Sequence, residues 1–346
     1  RNQLMTRPTS LSPHDPGPED ASMRAAQVDP DAAEALPLAG GREIRFGTAS
    51  WTDPTITRGA VFYPPGVDSA EERLRYYASR FSLVEVDSTY YALPARKMAE
   101  LWNERTPVEF TFNVKAHALM TGQPTEVQRL PRDLRDALPG ELAEKQRIYG
   151  KDLPPELYDE VWTIFRDAME PLHSSGKLGA VLLQYPRWFL PGKESRASIL
   201  EARDRLSGLD SAVEFRNAHW FDERNAERTL EFLEGHQIPF VMVDEPQGLR
   251  SSVPPVVAVT SPHLAMVRFH GRRADNWERP GVPVVERFRY LYERAELEDW
   301  VPRITEVAEQ AATTHVVMNN CYSNYGTTNA LEMAAMIREV YGATGL

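Results

Sequence analysis

The 346-residue sequence contains a single cysteine, Cys321, so it has no internal disulfide framework. A structural zinc site built from cysteines is excluded for the same reason. No apolar run approaches the roughly 18 residues of a membrane-spanning helix, and the N-terminal residues lack the basic-then-apolar layout of a secretory signal. We therefore expect a cytoplasmic protein with no membrane contact and no evident obligate protein partner.

Positive charge is also in short supply, because 39 basic residues stand against 50 acidic ones and give a formal net charge of −11. Such a field repels polyanions over most of the surface and disfavours non-specific nucleic-acid binding. The motifs of P-loop, zinc-protease, serine-hydrolase and dithiol enzymes are absent. Function therefore has to be inferred from side chains that the fold brings together.

Residues 1–42 are rich in Pro, Ser, Asp and Ala and show no apolar periodicity. A segment of this composition buries too little apolar surface to offset the entropy lost on ordering. We predict a disordered tail over residues 1–42 and a single folded domain over residues 43–346.

After the tail, short apolar runs alternate with segments of helical periodicity. Strand–helix alternation favours parallel pairing with right-handed crossovers, and eight such units in about 300 residues fit a closed barrel. A doubly wound open sheet is the alternative, but no glycine-rich phosphate turn follows the first run. The predicted fold is an α/β, TIM-like (β/α)8 barrel. The eight runs are 44–50, 83–89, 110–116, 180–186, 211–217, 240–246, 264–271 and 315–320.

Two connections depart from the regular pattern. Residues 246–262 are proline-rich, so we expect a short helix or none there. Residues 121–156 are too long for an ordinary strand-to-helix loop, and on a barrel they would lie over the C-terminal mouth. This insertion is either a mobile lid or a solvated surface segment.

Charged and amide side chains recur at the predicted strand ends. Within a strand, residues two apart share a face, so Glu214 and Arg216 point the same way, as do Arg268 and His270. The C-terminal mouth is the wet part of a barrel interior, so we expect these groups to line a pocket there. The alternative is a structural plug in which they only neutralise one another, although a buried ion pair often contributes no net stability.

Ten segments, among them GTASWTD (47–53), AVEFRNAHW (212–220) and MNNCYSNYGTTNA (318–330), together resemble the YecE-like family of TIM barrels, also called domain of unknown function 72. The resemblance runs from about residue 44 to 341. It implies a TIM-like barrel whose strand-end residues line the pocket, and the family name implies no activity. This sequence departs from many relatives at Ser50, where they carry Gly, and at Cys321.

Three chemistries are consistent with these residues. The first is an enzyme, whether hydrolase, lyase or isomerase, that acts on a small anionic or phosphorylated, sugar-like substrate by general acid/base catalysis. We predict catalytic roles for Glu214, Glu85, His270 and Lys115. Substrate-binding roles are predicted for Arg216, Arg268, Asn319, Asn320, Gln184, Asp244, Trp51, Ser88, Tyr91, Trp220 and Arg272.

The second chemistry is a metal-dependent hydrolase or isomerase, including a phosphodiesterase of the endonuclease-IV type. Its ligands would be Glu85, Glu214, Asp244 and His270. The cations at the same strand ends would repel a divalent ion, which makes this hypothesis weaker. No cofactor is predicted, although a divalent metal stays an alternative. The third is a non-catalytic protein that binds a small ligand or a nucleic-acid end on aromatic surfaces.

Overall fold

The computed structural model describes residues 15–343, which form a nearly closed barrel of eight parallel strands. Each strand is a short run rich in Val, Leu, Ile and Phe, as expected for strands of a parallel sheet buried on both faces. All eight predicted strands are present, so the TIM-like barrel is confirmed. The strands are β1 (Glu43–Ala49), β2 (Leu83–Val86), β3 (Thr111–Lys115), β4 (Leu178–Gln184), β5 (Ser211–Glu214), β6 (Val241–Asp244), β7 (Leu264–Phe269) and β8 (Thr313–Met318).

The hydrogen-bonded order is β5-β4-β3-β2-β1-β8-β7-β6, which leaves one seam between β5 and β6. At this seam Val213 forms a single parallel bridge with Phe240. The Val213 amide donates to the carbonyl oxygen of Pro239 at 2.9 Å. The barrel is therefore closed at β5–β6 by far fewer backbone hydrogen bonds than elsewhere.

Helices cover the outside of the barrel, and their starts follow the signals in the sequence. Ser69 and Glu72 form a capping box at the start of the second helix after β1, over Ala70–Ala78. As expected, residues 246–262 between β6 and β7 contain no helix. The helices in the described part of the chain are α1 (Pro18–Ala25), α2 (Pro54–Thr57), α3 (Ala70–Ala78), α4 (Ser88–Tyr91), α5 (Arg96–Glu104), α6 (Arg132–Asp136), α7 (Gly140–Ala143), α8 (Pro155–Ser174), α9 (Lys193–Arg205), α10 (Ala226–Gly235), α11 (Ala274–Trp277), α12 (Val284–Arg287), α13 (Arg294–Glu298), α14 (Val301–Ala308) and α15 (Tyr325–Ala343).

Glycine at position 47 of β1 is required by the close approach of β2. A Cβ atom at this position would lie 1.8 Å from the carbonyl oxygen of Leu83, which is far inside van der Waals contact. The same region is tied together by Tyr77, whose hydroxyl accepts from the Thr48 amide at 2.8 Å. The β1–β2 pair thus has no room for a side chain at residue 47.

The insertion after β3 is packed against the barrel rather than extended into solvent. Within the insertion, the two-residue strand Thr125–Glu126 pairs antiparallel with the two-residue strand Arg147–Ile148. Short helical turns lie before and after each of these strands. Leu130, Leu134 and Ile148 are buried in the main hydrophobic core. Whether the segment moves as a lid stays a prediction.

The predicted N-terminal tail differs from the structure over residues 15–42. Helix α1 lies on α15, with Ala21 fully buried beside Tyr325 and the Arg24 guanidinium 2.6 Å from the Glu332 carboxylate. These partners lie about 300 residues away, so local composition carries no trace of them. Residues 1–14 of the predicted tail lie outside the described residues. Among residues 15–343, the structure contains no helix long and apolar enough to cross a membrane.

Candidate functional site

At the C-terminal end of the barrel, one arginine sits between two glutamates from distant strands. Arg268 of β7 contacts Glu85 of β2 through two nitrogens, one of them at 3.0 Å, and its third nitrogen donates to Glu214 of β5 at 2.5 Å. All three side chains are almost completely buried. We call these three residues the buried ion cluster. Alternate residues of a strand share a face, and on each of these three strands that face points into the barrel.

Two further ionisable groups lie beside the second oxygen of Glu214, and a third lies behind them. The Arg216 Nε atom lies 2.6 Å from Glu214 Oε1, and His270 Nε2 lies 3.2 Å from the same oxygen. On the far side of Arg216, a terminal guanidinium nitrogen is 3.5 Å from the Glu245 carboxylate. Glu245 also accepts from the Val253 amide at 2.5 Å.

The surroundings push the pKa values of these groups apart. Burial opposes ionisation of Glu214, but Arg216 and Arg268 outweigh it and hold the pKa of Glu214 well below its usual value. Burial raises the pKa of Glu85 despite the opposing Arg268, and the Asp87 carboxylate raises it further. Burial, reinforced by Arg216, lowers the pKa of His270 to about 3, so its ring is neutral at physiological pH.

Above the buried ion cluster lies a cavity of about 520 Å³, which we call the mouth cavity. Its volume lies within the range typical of small-molecule sites. Residues from the ends of six strands line it, together with a segment of the 271–298 connection. The polar lining includes Asp87, Lys115, Gln184, Arg216, Arg287 and Asn319.

The segment that contains α12 forms the outer wall of the mouth cavity and separates it from a second groove of about 370 Å³. Arg216, Arg287 and Phe288 line both spaces. The Arg216 guanidinium lies over the Trp277 ring, 5.4 Å from its centroid. Burial lowers the pKa of Arg287, and the neighbouring guanidinium of Arg216 lowers it further. Two arginines therefore crowd together at the wall.

The predicted site residues divide into those in the mouth cavity and those beneath it. Glu85, Glu214, His270 and Arg268 come together, but they lie below the cavity and do not line it. Asn319 joins the two layers, because its side-chain nitrogen is 2.8 Å from His270 Nδ1. The residues of the prediction that line the cavity are Lys115, Arg216, Asn319, Gln184, Ser88 and Tyr91.

Besides Arg268, five predicted substrate-binding residues line neither the mouth cavity nor the second groove. Trp220 is fully buried and stacks on Phe215 with ring centroids 4.1 Å apart, and Trp51 packs edge-on against Trp102. Asn320 is held inside the fold, where it donates to the Tyr290 carbonyl oxygen at 2.8 Å.

Asp244 and Arg272 are the other two, and they pair with each other at 2.8 Å. Asp244 also accepts from the Trp300 indole at 2.7 Å and so faces the helices. The next residue, Glu245, faces inward instead, because neighbouring residues of a strand point to opposite faces.

Sequence reasoning missed Arg287, Gln123 and Phe288 of the cavity wall. Gln123 comes from the insertion and accepts from the Tyr90 hydroxyl at 2.8 Å, while its own amide donates to the Gln184 carbonyl oxygen. All three lie in long connections, where no strand or helix period predicts the direction of a side chain. The run of basic residues in 271–298 was the only available signal for Arg287.

The four metal ligands considered above do not converge on one point. Glu85 and Glu214 are occupied by Arg268, and Asp244 points away toward α14. Within residues 15–343, no group of three or more His, Cys, Asp or Glu side chains is arranged to hold a metal ion.

Ser50 and Cys321 also line the mouth cavity. Ser50 has a φ of 69°, a left-handed conformation that glycine adopts without strain. The Cys321 thiol donates to the Ala49 carbonyl oxygen at 2.8 Å, and burial raises its pKa well above the usual value. Cys321 is thus a protonated thiol and a poor nucleophile.

Comparison with known proteins identifies the family. The sequence model of the family described as "Protein of unknown function DUF72" matches residues 45–344. The UPF0759 protein YunF of Bacillus subtilis is 32% identical over 297 residues, which cover 85% of this chain and 94% of YunF.

Solved structures give the same relationship. A DUF72 family protein from Enterococcus faecalis superposes with a TM-score of 0.68 at 27% identity, covering 85% of this chain and 95% of that one. A DUF72 family protein from Thermotoga maritima superposes with a TM-score of 0.67 at 28% identity, covering 85% and 99%.

Removal of Arg268 tests the buried ion cluster. Arg268→Met leaves Glu85 and Glu214 buried without their shared cation, so we expect the free energy of unfolding to fall by about 3–5 kcal/mol. The control is Arg75→Met, which breaks a pair with Glu71 that is about half exposed and should cost about 0–1 kcal/mol. Urea unfolding followed by circular dichroism measures both. Equal losses in the two variants would contradict a stabilising role for the cluster.

Glu245 gives the stability a defined pH dependence. Burial raises its pKa from 4.5 to about 8, so the folded protein keeps a proton that the unfolded chain releases. This contribution is complete below about pH 4.5 and is lost as the pH rises through about 8. Relative to Glu245→Gln, the wild type should lose unfolding free energy on the order of 3 kcal/mol between about pH 5 and 9. Exposed Glu234→Gln is the control, and parallel pH profiles for wild type and Glu245→Gln would refute the prediction.

Proposed function

The chain belongs to the DUF72 family of proteins of unknown function, and we propose that it is an enzyme acting on a small anionic, sugar-like molecule in the mouth cavity. The chemistry is general acid/base catalysis by groups at the strand ends. Phosphorylated sugars are the substrate class that best suits the lining, because it combines crowded cations with amides and hydroxyls.

The observation that carries this proposal is an excess of positive charge at the mouth of an acidic protein. The mouth cavity and the adjoining groove are lined by Lys115, Arg216, Arg287, Arg187 and Arg279 against Asp53, Asp87 and Glu278. Five cations against three carboxylates leave a surplus of two, whereas the whole chain carries −11. Such a local field attracts an anion to this one place on the surface.

Two of these cations are partly buried and have no acidic partner within the described part of the chain. Neither Lys115 nor Arg287 has a carboxylate within 4.0 Å among residues 15–343, although both are partly buried. A partly buried cation without a counter-ion is costly, and a bound phosphate or carboxylate would offset that cost. Arg216 is available to the same anion through the guanidinium face that lines the cavity.

Asp87 is the carboxylate best placed for proton transfer. The other carboxylate that lines the mouth cavity, Asp53, caps α2 by accepting from the Thr55 amide at 2.8 Å. Asp87 precedes α4 without capping it and borders the cavity. Glu85, Glu214 and His270 lie beneath the cavity, so in this proposal they position Arg216 and Asn319 rather than touch the substrate.

Binding of inorganic phosphate tests the anion site. Arg287→Gln removes one charge-assisted donor, worth about 1.5–3 kcal/mol, so we expect phosphate affinity to fall by at least roughly tenfold. Isothermal titration calorimetry at low ionic strength measures the change. Arg228→Gln, on the exposed face of α10, is the matched control and should bind phosphate as the wild type does. The anion site is refuted if wild type binds no phosphate or if both variants lose affinity equally.

Asp87→Asn separates catalysis from binding. In a screen of sugar phosphates, we expect turnover by this variant to fall by about 10²–10⁴-fold, while phosphate affinity changes by less than about threefold. Exposed Asp299→Asn should leave turnover unchanged. A wild type that binds sugar phosphates but transforms none of them would identify a non-catalytic binding protein instead.

A further inference from the structure

Lys115 occupies a fixed position at the mouth of the barrel. It is the last residue of β3, and its carbonyl oxygen accepts from the Thr89 hydroxyl at 2.5 Å. Its Nζ atom lies 4.6 Å from the centroid of the Tyr90 ring, and Tyr90 is itself anchored by the hydrogen bond to Gln123. The amine therefore borders the mouth cavity from a rigid support rather than from a mobile loop.

Lys177 is a buried lysine with a structural role, and it serves as a comparison for Lys115. Lys177 is buried at the start of β4, where its amine donates to the carbonyl oxygens of Asn103 and Thr106 at 2.6 and 2.8 Å. A third bond reaches the Thr106 hydroxyl at 3.1 Å, so every proton of the ammonium is used.

Lys115 differs from Lys177 in the hydrogen bonds of its amine and in what surrounds it. Within residues 15–343 its amine makes no hydrogen bond and no ion pair, and it faces a cavity large enough for a ligand. Burial lowers the pKa of Lys115, Asp87 opposes this effect, and the nearby guanidinium groups of Arg268 and Arg216 lower it further. Desolvation and adjacent cations are the two conditions that make a lysine amine nucleophilic near neutral pH.

We propose that Lys115 is a covalent nucleophile that forms an imine with the carbonyl carbon of an anionic aldehyde or ketone in the mouth cavity. This inference rests on the proposed function and narrows its substrate class to phosphorylated or carboxylated carbonyl compounds. It also narrows the reaction class to a lyase or an isomerase, since an imine stabilises a carbanion formed at the neighbouring carbon.

The chemistry balances without an oxidant or a metal. Lys115 attacks in its neutral form, after its ammonium proton has passed to Asp87. A C–N bond forms to the carbonyl carbon, and the π electron pair of the carbonyl moves to its oxygen, which takes up a proton. Loss of this oxygen as water needs a second proton at the oxygen. The nitrogen gives up both of its protons in the same sequence, and a C=N bond is left. The sum is one amine and one carbonyl giving one imine and one water. Asp87, in the same lining, is the group that carries these protons.

Borohydride trapping on the full-length wild-type protein tests the inference. The probe is pyridoxal 5′-phosphate, used only as a phosphorylated aldehyde, with glyoxylate as a carboxylated one. After reduction, peptide mapping by mass spectrometry gives the labelling rate at each of the six lysines. We expect Lys115 to be labelled at least tenfold faster than the exposed Lys97, Lys145 and Lys193, and inorganic phosphate to suppress that labelling.

Two variants complete the experiment. Lys115→Arg keeps the positive charge but cannot form an imine, so it should retain phosphate binding and lose the fast label. Arg287→Gln should slow labelling of Lys115 by weakening the anion contact.

The outcomes separate this inference from the proposed function. Phosphate binding with labelling spread evenly over the exposed lysines overturns the imine and leaves the anion site standing. No phosphate binding together with no fast labelling overturns both. Fast labelling of Lys115 that phosphate suppresses supports both.

Discussion

The placement of one arginine between two glutamates, inside a nearly closed ring of strands, is the constraint on which the rest of this structure depends. Charges cannot be left unpaired in a barrel interior, because its walls offer no water to solvate them. Arg268 bridges Glu85 and Glu214 and so ties β2, β5 and β7 together below the mouth. The interior is thereby neutralised mainly by its own side chains.

Because these buried side chains satisfy one another, the residues that are open to a ligand lie above them, in the lining of the mouth cavity. Glu214 binds Arg268 with one oxygen and holds Arg216 and His270 near the other. Because Glu214 stays ionised, it fixes the position of the Arg216 guanidinium at the cavity wall. The groups left for a ligand are those that the lower layer cannot satisfy, above all Lys115 and Arg287. In the function that we propose, these cations are in place before an anion arrives, so the site is preorganised.

Much of the fold was predictable from the sequence, and the reasons are local. Each strand is a short run rich in β-branched and other apolar residues, and the 3.6-residue period of α3, α5 and α8 is plain. Alternation along a strand also predicted that Glu214, Arg216, Arg268 and His270 would meet. It did not predict which of them satisfy one another and which stay open, because that depends on distances of a few ångströms between separate strands.

Other features depended on contacts that no local pattern encodes. Trp220 follows a strand end and suits a stacking surface, yet it packs under Phe189 and Phe215. Helix α1 is ordered only because α15 offers it a partner.

The seam between β5 and β6 is spanned by a side chain that also lines the mouth cavity, Arg216. Arg216 follows β5, and its guanidinium touches Glu214 on one side and Glu245, which follows β6, on the other. The same side chain that presents positive charge to the cavity therefore spans the least hydrogen-bonded joint of the barrel. Any widening of that joint would pull Arg216 away from Glu214 or from Glu245, and would therefore move a side chain that lines the mouth cavity.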